Sequence, residues 1–233
     1  DRPNSTYSLV VSGNYAIFNS DGESPNQGRK LIRRDLLTTK NLVISDDSGN
    51  ISNDVYADGL IAFWDKDYRI SISDGYESSI VASDSELWAT YPRVGDNRIV
   101  YRLHDRCCSN QRSSIRAVIE GRDTLLSDFR GFLVGPGGDY QVEGKWIAYT
   151  DMGSAGQTHV WTYSPEGEKT QRTNFGSDSY IVAMAVDGDV VLQNRDTWYV
   201  SSLASAPKNI ELNTGLIKKV DGIWRVAIGR ELF

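Results

Sequence analysis

Short runs of alternating hydrophobic and polar residues, bounded by Gly, Asp, Asn or Ser, occupy most of this chain. Such runs are typical of half-buried β-strands separated by tight turns. No stretch of useful length places apolar residues at the i, i+3, i+4, i+7 spacing of an amphipathic helix, and the nearest one, residues 35–40, is short. The pattern therefore predicts an all-β protein.

One segment recurs along the chain: a turn that contains Gly or Asp, followed by a short apolar strand. Its copies end at Phe18, Phe63, Tyr101, Tyr149, Leu192 and Val226. A second strand is expected after the first five copies, at 30–36, 68–74, 113–119, 158–163 and 197–203. A third, more polar strand is expected at 41–45, 78–83, 124–129, 169–174 and 208–212. Before each turn there is room for a fourth strand, as at 7–11 and 181–186.

Four strands in a repeat of roughly 40 residues match one blade of a β-propeller. Because one such sheet cannot bury both of its faces, neighbouring blades must stack on each other. The sequence predicts a single β-propeller domain over residues 1–233, with six blades of which the last is incomplete. The approximate blades are 5–46, 51–84, 87–129, 131–175, 179–213 and 215–233. Five blades with a differently shared closing sheet are the alternative.

The best copy of the repeat reads Glu-Gly-Lys-Trp-Ile-Ala-Tyr-Thr-Asp at 143–151, His-Val-Trp-Thr-Tyr at 159–163 and Gln-Arg-Thr-Asn at 171–174. This pattern resembles the TolB-type β-propeller repeat of bacterial and archaeal periplasmic and surface proteins. The resemblance covers nearly the whole chain and implies an extracytoplasmic location, whether secreted, periplasmic or at the cell surface. It is specific to fold rather than activity, because the group contains mostly binding or scaffolding modules and propellers of similar shape include enzymes.

Charge and hydropathy limit the partners that we expect. With 25 Lys+Arg against 31 Asp+Glu, the net charge is -6, so the chain lacks the positive surface that binds nucleic acid or an anionic membrane. The longest uncharged apolar run, 180–186, is far shorter than the roughly 20 residues that cross a bilayer as a helix, so no membrane insertion is expected. Residues 1–6 have neither a basic start nor an apolar stretch, so we expect no signal peptide within the chain.

Three connections that follow the recurring strand are long, namely 19–29, 102–112 and 150–157. In a propeller such connections emerge on one face, where loops on a rigid support commonly bind ligands. An aspartate occurs here in every complete repeat: Asp21, Asp65, Asp105, Asp151 and Asp196. These carboxylates suit sugar hydroxyls or a cation such as calcium. The alternative is that Asp is simply a favoured hairpin residue, and no Asp-x-Asp-x-Asp-Gly loop is present.

Trp64, His104 and two cysteines complete the candidate site. Trp64 follows Phe63, so strand alternation turns it to the other side, beside Asp65 at the suspected face. Cys107 and Cys108 are adjacent in a polar loop, where they form either a strained vicinal disulfide or two free thiols. One such pair with one histidine lacks zinc-site spacing, so no metal site is expected.

No Gly-x-Ser-x-Gly elbow, phosphate-binding loop or dinucleotide-binding turn is present in the sequence. We therefore expect a non-catalytic extracytoplasmic or cell-surface propeller that binds a protein or glycan through its loop face, without a cofactor. The chain is then either a mature module or one domain of a larger protein. The alternative is a carbohydrate-active enzyme with paired carboxylates near the propeller axis. A purely architectural role is the third hypothesis.

Overall fold

A computed structural model gives the fold of the chain. It describes residues 6–20, 30–45, 48–55, 59–105, 112–130, 139–153, 156–203, 207–210 and 216–227. Every regular element within these ranges is a β-strand, which confirms the all-β prediction. Asp21, Cys107 and Cys108 lie outside the described residues.

The described strands form five four-stranded sheets and one two-stranded sheet, numbered here in chain order. In each sheet the strands lie side by side in the order of the chain. Sheet 1 contains β1 (Thr6–Ser12), β2 (Tyr15–Ser20), β3 (Lys30–Asp35) and β4 (Asn41–Ser45). Sheet 2 contains β5 (Ser48–Val55), β6 (Ile61–Asp65), β7 (Ile70–Ser73) and β8 (Ser78–Ala82). Sheet 3 contains β9 (Leu87–Gly95), β10 (Arg98–Asp105), β11 (Arg112–Ile119) and β12 (Arg122–Arg130).

The remaining sheets follow the same plan. Sheet 4 contains β13 (Tyr140–Glu143), β14 (Trp146–Met152), β15 (Thr158–Tyr163) and β16 (Lys169–Gln171). Sheet 5 contains β17 (Ser179–Met184), β18 (Val190–Asn194), β19 (Thr197–Ser201) and β20 (Lys208–Ile210). Sheet 6 contains β21 (Leu216–Val220) and β22 (Ile223–Ala227). The predicted four-stranded repeat is thereby confirmed, and its antiparallel sheets are those of a β-propeller.

The chain divides into two compact units, Asp1–Leu126 and Ser127–Phe233. In the first unit, both faces of β6 are buried. Ile61 and Phe63 pack with residues of sheet 1, whereas Ala62 and Trp64 pack with residues of sheet 3. Because side chains alternate along a strand, β6 contributes residues to two hydrophobic cores, one on each of its faces.

In the second unit, Ala148, Val160, Ile181 and Leu192 form a core that joins sheets 4 and 5. A bulge in β17 interrupts the pairing between Ile181 and Ala183. The carbonyl of Val182, at this bulge, accepts a hydrogen bond from the Gln141 amide of sheet 4 at 3.1 Å. This bond satisfies a backbone group within the disrupted ladder and ties two sheets of the unit together.

Candidate functional site

One edge of sheets 2 and 3 brings together several residues that the sequence singled out. In sheet 2 the β6–β7 hairpin starts at Asp65, and the pairing of Ile70 with Ala82 places the exit of β8 at the same edge. In sheet 3 the first residue of β9, Leu87, pairs with Asp105. The backbone N–H of Ala89 donates to the carbonyl of Tyr68 at 3.0 Å, which joins the two sheets here.

Five rings pack together at or near this edge, and we call them the aromatic cluster. Its members are Trp64, Tyr68, Trp88, Tyr91 and His104. Tyr68 stacks on Trp88 with ring centroids 4.0 Å apart and planes 10° apart. Trp64 lies 5.5 Å from Tyr68 and 5.4 Å from Tyr91, and Trp88 meets His104 edge-on at 5.9 Å. Aromatic pairs of this kind contribute about 0.5–1.5 kcal/mol each beyond their buried area.

Two of the tyrosines have left-handed backbone conformations. Tyr68 has a φ of 59° and Tyr91 a φ of 53°. Tyr91 lies in a bulge of β9, because Arg93 pairs with Val100 but Thr90 pairs with Arg102. Such a conformation costs a non-glycine residue of order 1–3 kcal/mol, and strain of this kind collects at functional sites. The bulge leaves the Tyr91 side chain 48% exposed while its ring contacts Trp64.

Trp64 is a core residue, and its role in ligand binding stays a prediction. Only 9% of the residue is exposed, because both faces of β6 are covered by neighbouring sheets. Its indole N–H has no hydrogen-bond acceptor among the described residues. A buried donor without an acceptor is uncommon and calls for a structural or functional explanation.

His104 is held in place by two hydrogen bonds. Its Nδ1 lies 3.1 Å from the carbonyl oxygen of Asp105, and its Nε2 lies 3.0 Å from the Thr90 hydroxyl. A carbonyl oxygen only accepts, so Nδ1 carries the proton and Nε2 accepts from Thr90. Burial lowers the pKa of His104, which favours this neutral form.

The carboxylate of Asp65 is fully engaged within its own hairpin. Its Oδ1 accepts from the backbone N–H groups of Asp67 at 2.9 Å and Arg69 at 3.1 Å. Its Oδ2 accepts from Nε of Arg69 at 2.7 Å, and Nη2 of Arg69 lies 2.7 Å from the same oxygen in an ion pair. A carboxylate has about four acceptor positions, so this geometry favours the hairpin role over direct ligand binding.

The other predicted aspartates lie at their own hairpins. Asp105 ends β10, half-buried beside His104. Asp151 accepts from the hydroxyl of Ser127 at 2.6 Å and from the Met152 N–H at 2.9 Å. Asp196 is exposed in the β18–β19 turn. Within the described ranges, no group of three or more His, Cys, Asp or Glu side chains is arranged to hold a metal ion.

A pocket of about 350 Å³ lies on the opposite face of sheet 2 from Trp64. Its floor includes Phe63, its rim includes Asp65 and Arg69, and β4 of sheet 1 contributes Ile44 to its wall. The two faces of β6 therefore carry different features, the aromatic cluster on one and this pocket on the other.

Tyr68, Trp88 and Tyr91 were not singled out from the sequence. Four aromatic residues do occur at 64, 68, 88 and 91, around one predicted hairpin and the start of the next blade. That concentration is the signal that would have found them. The sequence pattern does not indicate the β9 bulge, and this bulge is what brings the Tyr91 ring to the solvent.

Among the described residues, none forms a helix with the length and apolar character needed to span a membrane. No protein-family model matches the sequence, and no curated protein does. Solved structures, in contrast, give many matches to the fold.

An oligogalacturonate lyase in complex with manganese matches with a TM-score of 0.61 at 10% identity, over 88% of this chain and 65% of the lyase chain. A puromycin hydrolase mutant complexed with PGG matches with a TM-score of 0.60 at 12% identity, over 89% of this chain and 39% of the hydrolase chain. A protein assigned as TolB from Agrobacterium tumefaciens matches with a TM-score of 0.48 at 16% identity, over 89% of this chain and 80% of that chain.

The chain thus spans less than two thirds of the lyase and of the hydrolase. At such identities the likeness concerns fold and not activity. The matches to the lyase and the hydrolase, both with a TM-score of 0.60 or more, support the β-propeller fold that the repeat predicts.

Proposed function

We propose that this chain is a non-catalytic β-propeller module that binds a glycan or protein ligand at the aromatic cluster of sheets 2 and 3. The observation that carries the proposal is the pairing of Tyr91 with Trp64. A bulge with a left-handed backbone holds the half-exposed Tyr91 ring against a buried indole whose N–H has no acceptor among the described residues.

The chemistry of this arrangement suits a ligand with both apolar and hydrogen-bonding faces. A sugar ring or a peptide side chain can pack on the open face of Tyr91. Because the Trp64 N–H is buried, a ligand hydroxyl or carbonyl oxygen would reach it when the neighbouring Tyr91 ring moves aside, and would then provide the acceptor that it lacks. The free energy of satisfying a buried donor is about 1–3 kcal/mol, which is enough to discriminate between ligands.

The remaining rings keep this surface rigid. Tyr68 is stacked on Trp88, and Trp88 contacts His104, whose two ring nitrogens are both engaged. A surface that is ordered before the ligand arrives loses little conformational entropy on binding. Rigidity therefore supports a recognition role for the cluster.

The proposal includes the setting of the module. It places the chain outside the cytoplasm or at a cell surface, as a six-bladed propeller in which sheet 6 belongs to an incomplete last blade. Its larger solved neighbours carry this fold as part of a longer chain, since it covers 39% of the puromycin hydrolase. Further domains of a longer protein are thus among the partners that we propose.

The test is a glycan-array screen of the folded protein, run with and without calcium, with Tyr91→Ala and Tyr76→Ala as matched variants. Tyr76 is 86% exposed in the β7–β8 turn, outside the aromatic cluster, so its loss controls for removing a surface tyrosine. We expect Tyr91→Ala to weaken binding at least tenfold and Tyr76→Ala to leave it unchanged.

If no glycan binds, the same pair of variants is tested in cross-linking to surface proteins of the source cells, and the same difference is expected. Equal behaviour of the two variants in both experiments would overturn the proposal. Circular dichroism of each variant shows whether a loss of binding comes from unfolding instead.

The alternative is a carbohydrate-active enzyme with paired carboxylates near the propeller axis, and its support is the fold similarity to an oligogalacturonate lyase. One described pair, Asp187 and Asp189, is bridged by the ammonium of Lys219 at 2.6 Å from each. Burial acts to raise the pKa of Asp187, but hydrogen bonds from Lys219 and the Asp189 N–H outweigh it and lower this pKa overall. Such a carboxylate is a stable anion and a poor proton donor. Release of reducing ends from polysaccharides, lost in Asp189→Asn, would favour the enzyme.

A further inference from the structure

The pocket on the other face of sheet 2 has the character of a small-ligand site. Its volume of about 350 Å³ is at the lower end of the range for small-molecule sites. It lies between sheets 1 and 2, which belong to the same compact unit. Its position is distinct from the aromatic cluster, since Phe63 and Trp64 point to opposite faces of β6.

A fixed hydrogen-bond donor stands at the rim of the pocket. The Nε and Nη2 atoms of Arg69 bind Asp65 at 2.7 Å, and Nη2 also binds Asp67 at 3.0 Å. These contacts hold the guanidinium plane and use Nε and Nη2, so the Nη1 atom is the part of the group left for a ligand. A donor held in this way is ordered before binding.

Charge around the rim is balanced. The carboxylates of Asp65 and Asp67 offset the cations of Arg69 and Lys66, and Lys66 also lines the pocket. An ionic ligand would find no unbalanced opposite charge at the rim, whereas a neutral ligand would find hydrogen-bond partners there. The rim therefore favours an uncharged ligand.

The interior combines hydroxyl groups with apolar side chains. Serine side chains line the pocket at Ser45, Ser71 and Ser78, and each hydroxyl both donates and accepts hydrogen bonds. Ile44, Phe63 and Ile80 supply apolar surface. Ile80 is 52% exposed, an unusual solvent contact for a large apolar side chain.

We propose that this pocket binds a neutral monosaccharide unit. The ring carbons of the sugar would pack on Ile44 and Ile80, and its hydroxyls would bond with the serines and with Nη1 of Arg69. A sugar satisfies both kinds of lining at once, and one sugar unit suits the pocket volume. This site is independent of the proposed function at the aromatic cluster, and it gives the same unit a second place of contact with a carbohydrate.

The test uses saturation-transfer NMR and calorimetry with glucose, galactose, mannose and N-acetylglucosamine, with glucuronate as the charged comparison. Ile80→Trp places a large ring at the pocket wall, at a strand position that is open enough to accept it. Val43→Trp is the matched control, since Val43 is 47% exposed on β4 and does not line the pocket. Ser71→Ala removes one interior hydroxyl and leaves the fold little changed.

We expect saturable binding of at least one neutral sugar, weakened at least tenfold by Ile80→Trp, several-fold by Ser71→Ala, and unaffected by Val43→Trp or Tyr91→Ala. Tighter binding of glucuronate than of every neutral sugar would overturn the proposal. So would a folded protein that binds none of the four, or binding that Ile80→Trp leaves intact. Sugar binding lost in Tyr91→Ala but kept in Ile80→Trp assigns it to the aromatic cluster and also contradicts the pocket.

Discussion

The indole ring of Trp146 lies directly against Gly188. A Cβ atom on Gly188 would stand 2.7 Å from two ring carbons of Trp146, closer than atoms pack in proteins. Gly188 also has a φ of 83°, which L-residues with a side chain seldom adopt. Tyr15 meets Gly59 in the same way in the first unit, where a Cβ would stand 2.8 Å from the ring. The turn before a repeated strand thus needs glycine for two separate reasons.

Gly188→Ala is expected to destabilise the protein by about 2–4 kcal/mol, because the backbone penalty adds to a clash with the Trp146 ring. Gly144→Ala is the matched control: Gly144 has a φ of 57°, but a Cβ there would meet no atom within 4 Å. Its cost is expected to be about 1 kcal/mol, from the left-handed backbone conformation alone. Urea unfolding measures both, and equal losses would contradict the role of the Trp146 contact.

Asn194 ties the connection between sheets 4 and 5 to β18. Its amide lies 3.0 Å from the carbonyl of Ser177, 2.8 Å from that of Asp178 and 3.1 Å from the Ser179 hydroxyl. Because Asn194 is buried, Asn194→Ala leaves these acceptors unpaired, at an expected cost of about 2–3 kcal/mol. Asn209→Ala, at an exposed position of β20, is expected to change stability by less than about 0.5 kcal/mol. A small effect at Asn194 would show that water replaces its bonds.

Stability is expected to fall in alkaline solution because of two tyrosines. Burial, and then the negative charge of Asp123, raise the pKa of Tyr101, while burial and Asp151 raise the pKa of Tyr149. The unfolded chain releases these protons near pH 10, and the folded chain holds them, so stability present below pH 10 is lost above it. The expected slope is at most about 1.4 kcal/mol per pH unit for each tyrosine.

The variant with both Tyr101→Phe and Tyr149→Phe isolates this effect. Its free energy of unfolding between pH 9 and pH 11 is expected to fall less steeply than that of the natural chain. Parallel pH profiles for the two proteins would be inconsistent with the raised pKa values. Because the Tyr101 hydroxyl donates to Asp123 at 3.0 Å, the variant is also expected to be less stable at neutral pH by about 1 kcal/mol.

The aromatic cluster is expected to weaken in acid through His104. Burial and the nearby Arg102 cation lower the pKa of His104, and they outweigh the opposing effects of the Asp105 carbonyl and carboxylate. Its neutral form therefore stabilises the fold above the ordinary pKa of about 6.5, and this contribution is lost as the pH falls through the folded value. The chain has two histidines, so NMR can follow both ring signals. A His104 signal that titrates above pH 6.5 would contradict this account.

Local patterns were sufficient to predict the strands, and tertiary packing explains what they missed. The predicted strands at 41–45 and 158–163 coincide with β4 and β15. These strands were predictable because alternation and turn residues are local signals, which depend only on the strand and its neighbours in sequence. Strand length near loops was less certain, as at β7, which is shorter than the predicted 68–74.

The candidate site was harder to predict. Alternation correctly put Phe63 and Trp64 on opposite faces, but it cannot tell that sheets cover both faces, so the burial of Trp64 was missed. The left-handed conformations of Tyr68, in the β6–β7 turn, and of Tyr91, in the β9 bulge, oppose the intrinsic preference of tyrosine. The aspartate at the hairpin was found from the repeat, whereas the three hydrogen bonds and the ion pair that engage Asp65 depend on the detailed turn geometry.

The most direct measurement of ligand binding at the aromatic cluster is the indole N–H resonance of Trp64 during a titration. The probe is the glycan retained most strongly on the array, the chain has six tryptophan indoles, and Trp64→Phe assigns the signal. We predict that the Trp64 resonance shifts as its N–H gains an acceptor, with the same saturation curve as binding. A Trp64 signal that stays unchanged while the ligand saturates the protein would contradict the central claim.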